Sequence, residues 1–245
     1  MGPGGRTRGY RELSVTALLL AAGSGVRLGR RPKALLELAG VPMFLRSARA
    51  MAGSGAIDEI VVLVPDGHLD EASAAASIGP DALPSLRFAV GGSTRQASVQ
   101  CGLAAAAADA DVIVCHDAAR PFASAELFAA VVHVLRAARS SGTAGVIPVV
   151  PSADTVKRIA DGRVVETVPR DEVALVQTPQ AFDAGALRDA HARARDAGLE
   201  GTDDAALLEA AGYAVAVVPG EPENFKITTA DDLERAERRL AGEPA

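Results

Sequence analysis

The segment from Val15 to Lys33, VTALLLAAGSGVRLGRRPK, constrains this chain more than any other. Its first part, Val15 to Ala22, is an apolar run of the length expected for a strand buried on both faces, as in a parallel sheet. Gly23, Ser24 and Gly25 then admit backbone conformations and close approaches that larger side chains block, and Arg27, Arg30, Arg31 and Lys33 follow at once. Exposed backbone N–H groups beside fixed positive charge suit a polyphosphate. A glycine turn trailed by solvated arginines is the other reading of the same letters. A P-loop would need a lysine directly after glycine with Ser or Thr behind it, whereas Lys33 stands between Pro32 and Ala34. A dinucleotide fingerprint would need Gly or Ala three residues after Gly25, where Leu28 stands. The loop points away from both of those nucleotide-binding classes and toward another.

Beyond it the pattern predicts a helix over 43–51, a second buried strand over 59–64, a helix over 69–77, a strand over 86–90, a helix over 96–108, a strand over 112–115, a helix over 123–139 and a strand over 145–150. Strands alternating with helices at this spacing imply right-handed βαβ units: an α/β, Rossmann-like fold with a largely parallel twisted sheet flanked by helices. A chain of 245 residues can bury one large core, and with only 3% aromatic residues that core must be built from Ala, Val, Leu and Ile. A net charge of -6 with so few stacking aromatics argues against a general nucleic-acid binder. Cys101 and Cys115 have neither metal-ligand nor disulfide-framework spacing and read as buried small hydrophobes. Residues 1–13 are expected to form a disordered tail and 14–245 a single domain. With no signal-like or membrane-spanning run, the expected setting is cytoplasmic, away from any membrane.

In sheets of this kind ligands lie beyond the carboxyl ends of the strands. That rule selects Gly91 to Ser98, GGSTRQAS, where glycines let backbone approach a ligand and Ser98 falls in the first helical turn; an ordinary turn and cap would read alike. It also selects His116-Asp117-Ala118-Ala119-Arg120-Pro121. Asp117 suits Mg²⁺ or a ribose hydroxyl. Arg120 either contacts phosphate or anchors Asp117 as an ion pair, the second being preferred, and His116 reads as a packed, hydrogen-bonded residue. Asp109-Ala110-Asp111 has the spelling of a glycosyltransferase metal motif but precedes a strand, so it reads as a loop. Residues 155–168 alternate as two strands around Asp161-Gly162, too polar for core, and form either an exposed flap or an arm on a partner subunit. A strand over 173–177 ends at Thr178-Pro179-Gln180. Helices follow over 184–197 and 203–211, the second capped by Thr202, then a strand over 214–218. Thr229 with Asp232 forms a capping box opening the last helix.

The ordered set AAGSGVRLG, PK, GGSTRQASVQCG, HDAARP, DTVK, TVPR, TPQ, TDD and ENFKIT resembles the cytidylyltransferases that join CTP to 2-C-methylerythritol 4-phosphate, and the resemblance runs from Val15 to Leu240. It implies a nucleotidyltransferase, GT-A-like domain whose loop at Ala21, Ala22, Gly23 and Gly25 holds CTP, with Gly91, Ser98, Asp117 and Ala118 as further CTP contacts and Asp117 near ribose and metal. It implies Arg27, Lys33, Arg170 and Lys226 as the catalytic cations. Thr155, Arg170, Thr178 and Lys226 would be contacts to the sugar-alcohol phosphate, with Mg²⁺ as cofactor. It also implies a homodimer built through the hairpin arm over 151–170, so that some residues serve the neighbouring site. Two departures stand out: the segment between Arg27 and Lys33 is one residue short, and Phe225 stands where Ile is usual.

The residue inventory fits that chemistry. A phosphate monoester oxygen is already anionic, so in-line attack on the α-phosphorus of CTP needs charge cancellation rather than a base or covalent nucleophile. The alternatives are a ribitol-5-phosphate cytidylyltransferase, a uridylyl- or guanylyltransferase acting on a hexose phosphate, and a non-catalytic nucleotide-binding regulator.

Overall fold

The structure is a computed structural model that describes residues 13–23, 32–77 and 85–242. Apart from Leu13, the expected tail lies outside the described residues, as do Ser24, Gly25, Arg27, Arg30 and Arg31. Strand β1 (Val15–Leu20) is followed by a 3-10 turn at Lys33–Leu35, the small hairpin β2 (Glu37–Leu38) and β3 (Val41–Pro42), α1 (Met43–Gly53), β4 (Glu59–Val64), α2 (Leu69–Ala76), β5 (Ser85–Val90), α3 (Arg95–Ala105) and β6 (Val112–Asp117). The second half adds α4 (Ala125–Ala138), β7 (Thr143–Pro151), β8 (Val156–Ala160), β9 (Arg163–Val168), β10 (Ala174–Val176), β11 (Gln180–Asp183), α5 (Ala184–Ala197), α6 (Asp204–Ala210), β12 (Ala214–Pro219) and α7 (Ala230–Ala241).

β5, β4, β1 and β6 run side by side and parallel, which places their carboxyl ends on one edge of the sheet. β1 lies between β4 and β6, so the chain winds outward from it in both directions and leaves a crevice at its end. β11 enters antiparallel between β6 and β7, and β12 runs parallel along β7. Alternate side chains of each strand serve two cores. Val15, Ala17 and Leu19 of β1 pack with Ile60, Val62, Val112 and Val114 under α1 and α4, where Phe44, Met51, Phe128 and Val131 are fully buried. Leu18 faces the other side with Leu63, Ile113 and Phe182, beneath α3, α5 and α6. Burial on both faces explains the near-continuous apolar spelling of these strands, each large side chain contributing about 1.5–3 kcal/mol.

The elements follow the expected pattern with informative differences. β11 was not anticipated: four residues after Pro179 are too short to show a period, and their pairing on both sides makes them sheet. The cap of α6 is Asp203, whose side chain accepts from the Ala206 N–H, rather than Thr202. Asp203 takes it because its backbone is extended where the helix begins, and Thr202 is left beside a cavity. Cys115 is buried as expected, but Cys101 is half-buried, and neither forms a disulfide. The capping box of Thr229 and Asp232 is present, and Asp109 to Asp111 is a loop. The β8–β9 hairpin turns at Asp161 and Gly162, both at positive φ, and leaves Ile159, Val164 and Val165 exposed. Among the described residues no helix is long and apolar enough to cross a membrane.

Candidate active site

Two adjoining cavities open over the carboxyl ends of β1 and β6. The first, about 450 Å³, is lined by Ala22, Gly23, Lys33, Ser98, Ala119 and the stretch from Gly92 to Arg95. The second, about 290 Å³, is lined by Arg120, Gln177, Thr178, Gln180, Thr202 and Asp203 among others. Arg95, Asp117 and Lys226 line both, so they form the wall across which two bound molecules would meet.

The sequence builds the first cavity by close backbone approach. Gly91 donates its N–H to the Val64 carbonyl at 2.8 Å, and a Cβ there would sit 2.5 Å from the Ala22 Cβ. Only glycine lets the loop after β5 lie against the loop after β1. Ser98 does not offer a free hydroxyl. Its Oγ accepts from the Gly92 N–H at 3.1 Å and lies 2.8 Å from the Thr94 carbonyl, which holds the glycine loop onto α3. Thr94 caps α3 by accepting from the Ala97 N–H, so the first residue of the helix, Arg95, is aimed at the sheet end.

The shared wall is a line of alternating charges. Lys226 donates to Asp117 Oδ2 at 2.7 Å, and Arg95 Nε donates to Asp117 Oδ1 at 3.1 Å. Burial disfavours the Asp117 carboxylate, but Arg95 and Lys226 outweigh it and hold the carboxyl well below the usual range. The Arg95 guanidinium is likewise opposed by burial, yet Asp204 and Asp117 raise its pKa further. Arg120 forms no ion pair with Asp117, contrary to the preferred sequence reading. Arg95 and Lys226 already occupy both carboxylate oxygens, and Arg120 donates to the Asn224 carbonyl at 2.7 Å and to the Val176 carbonyl at 3.4 Å.

His116 is a satisfied core residue, as its place at a strand end suggested. Its Nε2 lies 3.1 Å from the Arg120 carbonyl, its Nδ1 is 3.0 Å from Thr178 Oγ1, and the ring packs edge-on against Phe128. The Arg120 carbonyl can only accept, so Nε2 carries the hydrogen, and in the neutral ring Nδ1 accepts from the Thr178 hydroxyl, whose Oγ1 in turn accepts from the Asp117 N–H. Burial pushes its pKa down to about 4, against the pull of Asp117. The unfolded ring titrates near about 6.5. His116 therefore contributes stability that is complete above that value and is lost as the pH falls toward 4, on the order of 3 kcal/mol in all. Asp117 and Asp204, both depressed, add losses only at more acid pH. Urea midpoints should fall between pH 7 and 4.5 in the parent and fall less in His116→Gln; equal slopes in the two would refute this account.

Of the residues anticipated from sequence, Ala22, Gly23, Lys33, Ser98, Asp117 and Lys226 line the first cavity and Thr178 the second. Ala21 and Ala118 are buried beneath it, their N–H groups tied to the Leu63 and Leu20 carbonyls. Thr155 and Arg170 are exposed beyond the ends of the β8–β9 hairpin and line neither cavity. Sequence reasoning passed over Arg95, Thr202, Asp203 and Gln180. All four had a signal in hand, since they lie inside GGSTRQAS, TDD and TPQ; that Gln180 meets Asp203, by a 2.8 Å hydrogen bond, comes only from the fold. Among the described residues no three His, Cys, Asp or Glu side chains cluster to hold a metal. Asp117 is the one carboxylate among the described residues lining the first cavity, which fits a magnesium ion carried on a polyphosphate rather than one caged by protein.

Glycine loops, a carboxylate between two cations and paired cavities are what nucleotidyl transfer needs. Comparison with known proteins agrees. The family profile described as "IspD: 2-C-methyl-D-erythritol 4-phosphate cytidylyltransferase" matches residues 15–241. The bifunctional enzyme IspD/IspF of Clavibacter michiganensis subsp. michiganensis is 46% identical over 97% of this chain, which covers 56% of that relative's length. This chain thus spans about half of such bifunctional relatives. The 2-C-methyl-D-erythritol 4-phosphate cytidylyltransferase of Rhodococcus jostii is 45% identical over 89% of this chain and 92% of its own. The crystal structure of 4-diphosphocytidyl-2C-methyl-D-erythritol synthase from Anaerococcus prevotii superposes with a TM-score of 0.82 at 31% identity, covering 94% of this chain and 99% of that one. The family match runs through the strand ends that carry the cavities, and by it the chain belongs to the 2-C-methyl-D-erythritol 4-phosphate cytidylyltransferase family.

Proposed function

We propose that this protein transfers CMP from CTP to 2-C-methyl-D-erythritol 4-phosphate, releasing pyrophosphate. The observation that carries the reading is the Arg95–Asp117–Lys226 wall shared by two cavities. CTP occupies the glycine-lined cavity, the sugar-alcohol phosphate the second, and the two anions meet at fixed cations. An acceptor phosphate oxygen forms the new P–O bond at the α-phosphorus while the bond to pyrophosphate breaks on the opposite side. Lys33 and Lys226, with Arg27 outside the described residues, neutralise the charge that builds on the transferring and departing groups. Magnesium on the triphosphate would shield its charge, and Asp117 is the residue that would help hold it. Thr202 lines the second cavity and offers its hydroxyl to the acceptor's hydroxyls, beside Thr178 Oγ1 and Gln180 Nε2, which are tied within the protein.

Thr155 and Arg170 belong, in this reading, to the acceptor site of a second copy, reached by the β8–β9 arm. Exposed Ile159, Val164 and Val165 on the arm, with Leu175 on β10, supply the apolar surface such a contact buries. Light scattering should report a dimer, and Val164→Glu should yield monomers with weakened acceptor turnover; a parent that is monomeric at working concentration removes the arm from the mechanism. Two unbonded cysteines suit a reducing cytoplasm.

The deciding experiment is pyrophosphate release with Mg²⁺ and CTP, comparing 2-C-methyl-D-erythritol 4-phosphate with ribitol 5-phosphate and replacing CTP by UTP, GTP or ATP. Release with CTP and the methylerythritol substrate alone supports the proposal. Release with ribitol phosphate instead keeps the nucleotide site and reassigns the acceptor, and silence with every pair despite CTP binding leaves a nucleotide-binding regulator.

A further inference from the structure

The alternating charges do not stop at the cavity wall. Arg95 NH1 donates to Asp204 Oδ2 at 2.8 Å, and His191 Nε2 lies 3.0 Å from Asp204 Oδ1. Lys226, Asp117, Arg95, Asp204 and His191 thus form one continuous chain from the loop after β12, through β6, α3 and α6, to α5. Asp204 and His191 are fully buried and line neither cavity. Stability alone is a poor reason for them, because apolar side chains of similar volume would fill this space at least as well. Their geometry does something more specific. A guanidinium is planar, so carboxylates on two of its nitrogens fix the direction of the third. Arg95 has Nε on Asp117 and NH1 on Asp204, while NH2 is buried with no partner among the described residues, so the two carboxylates alone set how the guanidinium sits. His191 in turn fixes Asp204. Its ring nitrogen Nε2 donates to the carboxylate, and Nδ1 is buried without a partner among the described residues.

We propose that Asp204 and His191 are positioning residues for nucleotidyl transfer: they lock the Arg95 guanidinium at the wall shared by the cavities, so that it holds the Asp117 carboxylate, and through it Lys226, in place against the nucleotide. This inference rests on the CTP reading above. Neither residue touches substrate; both act through Arg95.

The test uses the whole protein and two readouts, calorimetric titration with CTP and steady-state pyrophosphate release. Asp204→Asn keeps the shape and removes the charge, and is expected to weaken CTP binding about tenfold and lower kcat/KM for CTP about 10- to 100-fold, with KM for the acceptor little changed. His191→Leu should weaken CTP binding several-fold. His191→Gln, whose amide N–H can replace Nε2–H, should restore it to within about twofold. Arg95→Lys combined with Asp204→Asn should be no worse than Arg95→Lys alone, because the aspartate acts only through the arginine. A purely structural role would lower the melting midpoint while leaving Kd, kcat and KM of the folded fraction at parental values. That result, equal behaviour of His191→Leu and His191→Gln, or full multiplication of the two effects in the double variant would overturn the proposal. If Asp204→Asn does not fold, the His191 pair makes the same comparison. A parent that binds CTP but releases no pyrophosphate would remove the proposed reaction, and the CTP titrations would still judge the positioning role.

Discussion

Lys226→Ala is expected to lower kcat/KM for CTP and 2-C-methyl-D-erythritol 4-phosphate about 10²- to 10³-fold, the usual consequence of deleting one preorganised donor from a charge-stabilising site. The ammonium stands on the wall common to both cavities, and one carboxylate at 2.7 Å leaves two of its three N–H donors for phosphate oxygens. The side chain is 42% exposed and Asp117 keeps Arg95 as a partner, so the fold should survive with a melting midpoint lowered by only about a few degrees. Circular dichroism and melting separate the two effects. The loss should appear in kcat at least as much as in KM, because the ammonium serves charge that develops as the α-phosphorus changes partners. A folded Lys226→Ala protein with kcat/KM within about threefold of the parent would remove Lys226 from the mechanism.

Asp117→Asn should cost both activity and stability. Among the described residues the carboxylate is the one anion between Arg95 and Lys226, and its replacement leaves two cations facing each other with Asp204 to balance one of them. Breaking a buried pair by removing one partner typically costs about 3–5 kcal/mol, and the half-exposed position of Lys226 places this case toward the lower figure. Loss of this carboxylate from the wall should lower kcat/KM about 10³-fold and raise the magnesium concentration needed for half-maximal rate. Because Asp117 is held well below the ordinary carboxylate range, the parent's activity should show no loss from its protonation anywhere above about pH 4. An Asp117→Asn protein with an unchanged magnesium requirement would argue that the metal is held by the nucleotide alone.

Local rules made much of this protein legible. The apolar runs of β1, β4 and β6 announce strands buried on both faces because each such strand must satisfy a core on either side. The glycine loops announce a ligand at the strand ends because nothing larger than hydrogen fits where Gly91 meets Ala22. Asp117 and Lys226, 109 residues apart, were each selected by motif, and the fold joins them. Where two adjacent residues could serve, local rules failed. Thr202 and Asp203 are both good caps, and the choice fell to whichever backbone was extended at the start of α6. β11 was hidden for a similar reason, since its identity comes from neighbours on both sides rather than from its own four side chains.

The sequence by itself determined the class of fold, the strand ends at which chemistry gathers and the cationic character of the site, because periodicity, glycine and charge act over a few neighbouring residues. Only the tertiary structure decided which charges neutralise one another. It gave Asp117 to Arg95 and Lys226 rather than to Arg120, and it extended the line through Asp204 to His191. Opposite charges withdrawn from water are driven to whichever partner the packing of β6, α3, α5 and α6 brings within hydrogen-bond distance, and that distance is not written in any local pattern.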